Sequence, residues 1–196
     1  MTSKPFIVFA LPRSRTAWLS HYLGAGGQYQ VGHDIGIDCN RPEDFLTAYQ
    51  AGMVGTVETG AVIAWRLIRE AMPNIKMICI RRPIGEVQAS LARFGITADD
   101  ELMERNAILD SLERVPGIDT VDFNSLRSWQ CCKWLFEHCH GVSWSPDWYN
   151  ACAQVNIQID MGKRLIELAT RYDSMLALRT EIMKRSSELV TCRSLN

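Results

Sequence analysis

The sequence predicts an α/β fold, a parallel β-sheet flanked by helices with a helix-rich C-terminal half. Two observations predict it. Short apolar, β-branched runs alternate with longer segments of helical periodicity in the first 125 residues, as in chained βαβ units. After that the sequence reads as helix almost throughout, with no linker to mark a boundary. A single domain over residues 1–196 is the expected organisation, within the size one hydrophobic core supports.

The elements follow in order. Phe6-Ile7-Val8-Phe9-Ala10 reads as a buried strand, and Thr16 to Leu23 as a helix stopped by Gly24-Ala25-Gly26-Gly27. Tyr29 to Gly32 is a second strand, and a short helix starts near Pro42, a residue suited to a first helical turn. Val54 to Glu58 is a third strand. Val62, Trp65, Ile68 and Met72 give helical spacing over Thr59–Met72. Ile75 to Ile80 is the clearest central strand, and a helix follows it to about Phe94. Asp99 to Arg114 reads as a solvent-facing helix and Thr120 to Phe123 as a strand. Helices then run over Leu126–His138, Pro146–Gln154 and about Met161–Lys184.

Apolar residues make up 47% of the chain and charged residues 22%, with a net charge of −1. That balance excludes a disordered chain and a global basic field, so neither nucleic acid nor an anionic membrane surface is an expected partner. No apolar stretch approaches the ~20 residues of a membrane span, and the expected location is cytoplasmic. The seven cysteines sit mostly in apolar patterns and read as reduced core thiols. Cys131, Cys132, His138, Cys139 and His140 lack two separated ligand pairs, so no metal site is expected.

The chemistry concentrates where the first strand turns into the first helix, at Leu11-Pro12-Arg13-Ser14-Arg15-Thr16. The first amides of a helix have no internal partner, and the helix dipole is positive there. Two guanidinium groups and two hydroxyls join them, a set suited to a phosphate or sulfate. The alternative is that Ser14 or Thr16 caps the helix and both arginines face solvent. The usual nucleoside-triphosphate loop, G-x-x-x-x-G-K-[ST], is not met: Phe9 and Ser14 stand for its glycines and Arg15 for its lysine.

Pro12-Arg13-Ser14-Arg15-Thr16-Ala17-Trp18-Leu19 resembles the 5′-phosphosulfate loop of sulfotransferases, a P-loop family whose usual form is P-[KR]-S-G-T-T-W-L. The resemblance implies a sulfuryl transfer from 3′-phosphoadenosine 5′-phosphosulfate (PAPS) to a hydroxyl or amine, with no metal. Under it, Arg13 steadies the bridging oxygen, Ser14 and Thr16 bind the 5′-phosphate, and Trp18 lies near the adenine or in the core. Arg15 and Ala17 replace a glycine and a threonine of the family loop, and Arg15 is expected to avoid the φ reserved for glycine. Ile78-Cys79-Ile80-Arg81-Arg82-Pro83, with Ser90 further on, resembles the family's 3′-phosphate clamp. Spacing to Ser90 favours Arg82, and the Arg-x-Pro pattern favours Arg81.

The resemblance also asks for a base near a strand end. Glu58, ending the third strand, and His33, after the second, are the candidates, with Glu58 preferred. The acceptor pocket is expected between Asp99 and Trp148, where Trp129, Trp134, Trp144, Trp148 and Tyr149 supply aromatic surface. Two alternatives remain: a P-loop kinase or nucleotide hydrolase with an altered loop, and a non-catalytic nucleotide-binding or interaction protein. The expected partners are a nucleotide cosubstrate and an acceptor. A homodimer through Leu165, Leu168, Tyr172 and Met175 is the alternative to packing that helix within the chain.

Overall fold

The strand β1 (Phe6–Ala10) is the axis of the molecule, and its residues alternate between two cores. Phe6, Val8 and Ala10 point into one apolar cluster, Ile7 and Phe9 into another on the opposite face, and all are fully buried. This is the period-two pattern of a strand covered on both sides, which explains why the segment reads as continuously apolar. Each of the larger side chains, Phe6, Ile7, Val8 and Phe9, contributes roughly 1.5–3 kcal/mol by leaving water. The computed structural model describes residues 4–97, 99–157 and 161–194.

Five parallel strands form the sheet: β1, β2 (Val31–His33), β3 (Gly55–Glu58), β4 (Lys76–Arg81) and β5 (Ile118–Asp122). Their order is β2-β3-β1-β4-β5. β1 pairs with β3 on one side (Phe6 opposite Gly55) and β4 on the other (Ile7 opposite Met77). The chain therefore switches direction across the sheet at β1, and α/β sheets bind ligands outside the carboxyl ends of strands at such a point. Gly55 is required at its place in β3, because a Cβ there would collide with the ring of Phe6.

One face of the sheet carries α1 (Thr16–Leu23), α6 (Trp129–His140) and α7 (Pro146–Ala153). The other carries α2 (Pro42–Gln50), α3 (Trp65–Ala71), α4 (Ile84–Ala92), α5 (Asp100–Leu112) and α9 (Tyr172–Ser194). The intervening α8 is Met161–Thr170. The C-terminal helical half thus covers both faces of the sheet.

Most expected elements are present within a few residues. Three differ in a way that matters. The 59–72 helix begins as a 3₁₀ turn over Ala61–Ala64 before α3. The long C-terminal helix is interrupted at Arg171, giving α8 and α9. α5 is not simply solvent-facing, since Leu102, Leu109 and Leu112 are buried beneath it. The expected dimer face is not free either: Tyr172 and Met175 both line the cavity described below, Tyr172 with 63% of its surface exposed. The side chains of Leu165 and Leu168 lie outside the described residues.

Candidate functional site

The loop between β1 and α1 forces two arginines into the left-handed region, Arg13 at φ 65° and Arg15 at φ 61°. Arg15 thus adopts the backbone that the family's glycine supplies, against the expectation that it would avoid it. The β1–α1 path is fixed by buried residues on both sides, Leu11 before it and Trp18 and Leu19 after it, so the loop cannot relax without moving the core. Each left-handed non-glycine residue costs roughly 1–2 kcal/mol. Strain of that kind persists where surrounding packing overrides it, and it clusters at functional sites.

No side chain caps α1, although Arg15 is its N-cap residue. Its first amides keep their capacity for an outside acceptor. The hydroxyl of Ser14 is fully buried and has no hydrogen-bond partner. It lies beneath the loop and does not line the cavity, whereas Pro12, Arg13, Arg15, Thr16, Ala17 and Trp18 do.

Arg13 joins the two segments singled out in the sequence. Its Nε donates to Ser90 Oγ at 3.2 Å, and its guanidinium lies 4.6 Å over the ring of Phe94. Arg82 donates to the Arg13 carbonyl, forms an ion pair with Glu86 at 3.3 Å and sits 4.3 Å over Phe123. Arg81 points elsewhere, to Asp110 and, at 2.7 Å, Glu113 of the segment that ends α5. Geometry thus brings Arg82 rather than Arg81 to the loop. Burial, then repulsion from Arg82 and Arg93, lowers the pKa of Arg13. Glu86 offsets Arg82, whereas Arg13 lies beside the uncapped start of α1, an arrangement that favours an anion there.

Arg93, Phe94 and Phe123 were not found by sequence reasoning. Arg93 lies three residues past Ser90 at the end of α4, so a helical-face argument extended from Ser90 would reach it. Phe123 has no comparable local signal.

Trp18 donates its indole N–H to the Cys152 carbonyl at 2.9 Å and stacks on Tyr22. It belongs to the core and still lines the cavity, with Arg15 5.9 Å from its ring centroid.

The two base candidates sit differently. His33 Nε2 is 3.0 Å from Thr16 Oγ1 and 3.6 Å from Asp34 Oδ2, and it does not line the cavity. Glu58 does line the cavity, although only 1% of its surface is exposed. It accepts hydrogen bonds from the amides of Ile35 (2.9 Å) and Gly36 (3.3 Å) and from Thr56 Oγ1 (2.5 Å). Asp34 enters that turn at φ 49° and accepts from the amide and hydroxyl of Thr59 at 2.7 and 2.9 Å. Burial, then the charge of Asp34, raises the pKa of Glu58 to about 8, against the lowering effect of its hydrogen bonds.

The cavity has a volume of about 1020 Å³ and runs from the loop, past Asp34 and Glu58, to a wall made by α9. Of the five aromatics expected to shape an acceptor pocket, only Tyr149 lines it. Trp144 and Trp148 instead donate to the Tyr22 hydroxyl and carbonyl, at 2.5 and 2.8 Å, locking α7 to α1. Trp129 stacks on Trp144, and Trp134 on His138. The Cys131–His140 cluster disperses for the same reason: His140 is stacked on Tyr29 and bonded to the Leu23 carbonyl, while His138 pairs with Asp119. Among the described residues no group of three or more His, Cys, Asp or Glu converges as metal ligands. No described helix is long and apolar enough to cross a membrane.

No protein-family model matches the chain, and no curated protein matches it in sequence. Among solved structures it is similar to a gluconokinase from Sinorhizobium meliloti 1021, at 10% identity and a TM-score of 0.50, covering 71% of this chain and 95% of that one. At that identity the likeness concerns fold alone. The five-stranded parallel sheet, its switch point at β1 and the strained β1–α1 loop make this an α/β protein consistent with the P-loop kinase-like fold.

Proposed function

We propose that the protein is a P-loop transferase that holds a nucleotide by its phosphates at Pro12–Thr16 and passes a charged group to an acceptor in the adjoining cavity. The observation that carries this reading is the crowding of Arg13 by Arg82 and Arg93 beside the uncapped start of α1. A charge-assisted hydrogen bond contributes roughly 1.5–3 kcal/mol, so two or three of them offset the strain of the loop.

The loop favours sulfuryl transfer from PAPS. Arg13 and Ser90, drawn from two separate segments of the resemblance, are hydrogen-bonded, and a guanidinium replaces the lysine that kinases of this fold use. In that reaction the acceptor oxygen attacks sulfur and the sulfur–oxygen bond to the nucleotide breaks. The electron pair passes to the nucleotide's 5′-phosphate, where Arg13 neutralises it. The acceptor's proton passes to the Glu58 carboxylate, whose raised pKa suits a general base. His33 orients Thr16 for the phosphate. The second reading is phosphoryl transfer, favoured by the gluconokinase-like fold.

Calorimetric titration with 3′-phosphoadenosine 5′-phosphate, and separately with ATP and magnesium, tests both. Micromolar binding of the first with weak binding of the second supports sulfuryl transfer, and the opposite order supports phosphoryl transfer. Binding of neither nucleotide overturns the proposal.

A further inference from the structure

The cavity has two chemically distinct ends. Near the loop it presents Arg13, Arg15 and Thr16, with Asp34 and Glu58 beside them. Away from it aliphatic side chains predominate, Ile63 and Leu67 from the segment through α3, Ile96 from the turn before α5, and Met175, Leu178 and Ile182 from α9, set among charged ones such as Glu43, Glu101, Arg105, Arg179 and Arg185. Leu67 and Ile182 are buried and Ile63, Ile96 and Leu178 half-buried against the same core, and Met175 is half-buried beside them on α9.

The arginines that α9 carries to the rim are already matched. Arg179 pairs with Glu101 at 2.7 Å and with Glu104, and Arg185 pairs with Glu43 at 2.6 Å. Arg171, just before α9, pairs with Asp38 at 3.1 Å. An acidic acceptor would find no uncommitted arginine on that wall and would lose its hydration against aliphatic carbon, which is costly for a charge. A polyol would meet polar side chains already paired with one another, Arg179 with Glu101 and Arg185 with Glu43, and would recover few of its hydrogen bonds to water. An alkyl body would instead gain about 0.8 kcal/mol per buried methylene. The volume, about 1020 Å³, is at the upper end of the roughly 300–1,000 Å³ of small-molecule pockets.

We infer that the acceptor is an uncharged alcohol with an aliphatic body, lying between α3 and α9 with its hydroxyl at Glu58. As an acceptor assignment this rests on the transferase reading above. It differs from the aromatic pocket expected between Asp99 and Trp148, because those tryptophans serve the opposite face of the sheet.

The test is calorimetric titration of the full chain with 1-decanol, decanoate and gluconate, below the micelle concentration of decanoate. It is done on the wild type, Met175→Trp and Ile63→Trp, which fill the cavity from opposite walls. Nucleotide titrations are run on each preparation. The expected result is decanol binding at least tenfold tighter than decanoate, no gluconate binding, and at least a tenfold loss of decanol affinity in whichever variant keeps the wild-type circular dichroism spectrum. Tighter binding of gluconate or decanoate, or unchanged decanol affinity in a folded variant, overturns the inference. Nucleotide binding without decanol binding also sinks it and leaves the transferase reading standing. Decanol binding without nucleotide binding sinks the transferase reading and leaves the ligand class of the cavity intact.

Discussion

Arg13 Nε and Ser90 Oγ, 77 residues apart in sequence, meet at 3.2 Å and tie the β1–α1 loop to α4. The hydrogen bond fixes where the guanidinium points, while Phe94 supports its face. Arg13→Ala is expected to weaken nucleotide binding by about a hundredfold, the loss of two charge-assisted hydrogen bonds at roughly 1.5 kcal/mol each. Ser90→Ala should cost about tenfold, since it misorients the arginine without removing it. Calorimetry on both variants checks this; equal losses would mean that Ser90 touches the ligand itself.

Arg81 and Arg82 are neighbours in sequence with opposite duties. Arg82→Ala should reduce nucleotide affinity at least tenfold, because Arg82 contacts the loop at the Arg13 carbonyl. Arg81→Ala should leave affinity within about threefold and lower stability by about 1 kcal/mol, the scale of partly exposed ion pairs such as those to Asp110 and Glu113. Denaturant melts alongside titrations separate the two effects.

The strain at Arg15 is measurable by comparing two substitutions. Alanine keeps the left-handed penalty and glycine removes it, so Arg15→Gly should be more stable than Arg15→Ala by about 1 kcal/mol. For a chain of this size that is about 2–4 °C in Tm. Equal melting temperatures would argue that the φ of 61° carries no strain.

Glu58 links activity and stability to pH. With its pKa raised from 4.5 to about 8, the folded protein binds the proton that the unfolded chain has released anywhere between those values. Stability from this group is therefore fully present below pH 4.5 and declines as pH rises through about 8. Its removal in Glu58→Gln should flatten the stability profile across that window, read by urea melts at several pH values. If Glu58 is the base, the wild-type transfer rate should rise towards a plateau above about pH 8. Loss of that limb in Glu58→Gln is the expected outcome; an unchanged limb assigns it to another group.

His140 makes the opposite contribution. Enclosed by Phe6, Tyr29 and Phe136, its imidazole has a pKa lowered to about 4, chiefly by burial. Stability from the neutral ring is present above the ordinary histidine value of 6.5 and is lost as pH falls towards 4. A conservative His140→Gln should flatten the acid limb of the stability curve, measured between pH 4 and 7.

The sequence alone determined the strand β1, the helix after it and the basic loop between them, because those features are local. A run of apolar residues, a helical period and a cluster of arginines are each visible within a few residues. It also located Glu58 at a strand end. It could not choose between Arg81 and Arg82, since that choice depends on which guanidinium faces β1 and which faces α5. Nor could it separate the tryptophans that lock α7 to α1 from a pocket lining, because apolar aromatic residues serve either purpose. The arrangement of Arg93 around Arg13, the turn that buries Glu58 and the aliphatic wall of α9 arise from segments far apart in the chain. Their proximity is set by strand order and helix packing, and only the tertiary structure supplies it.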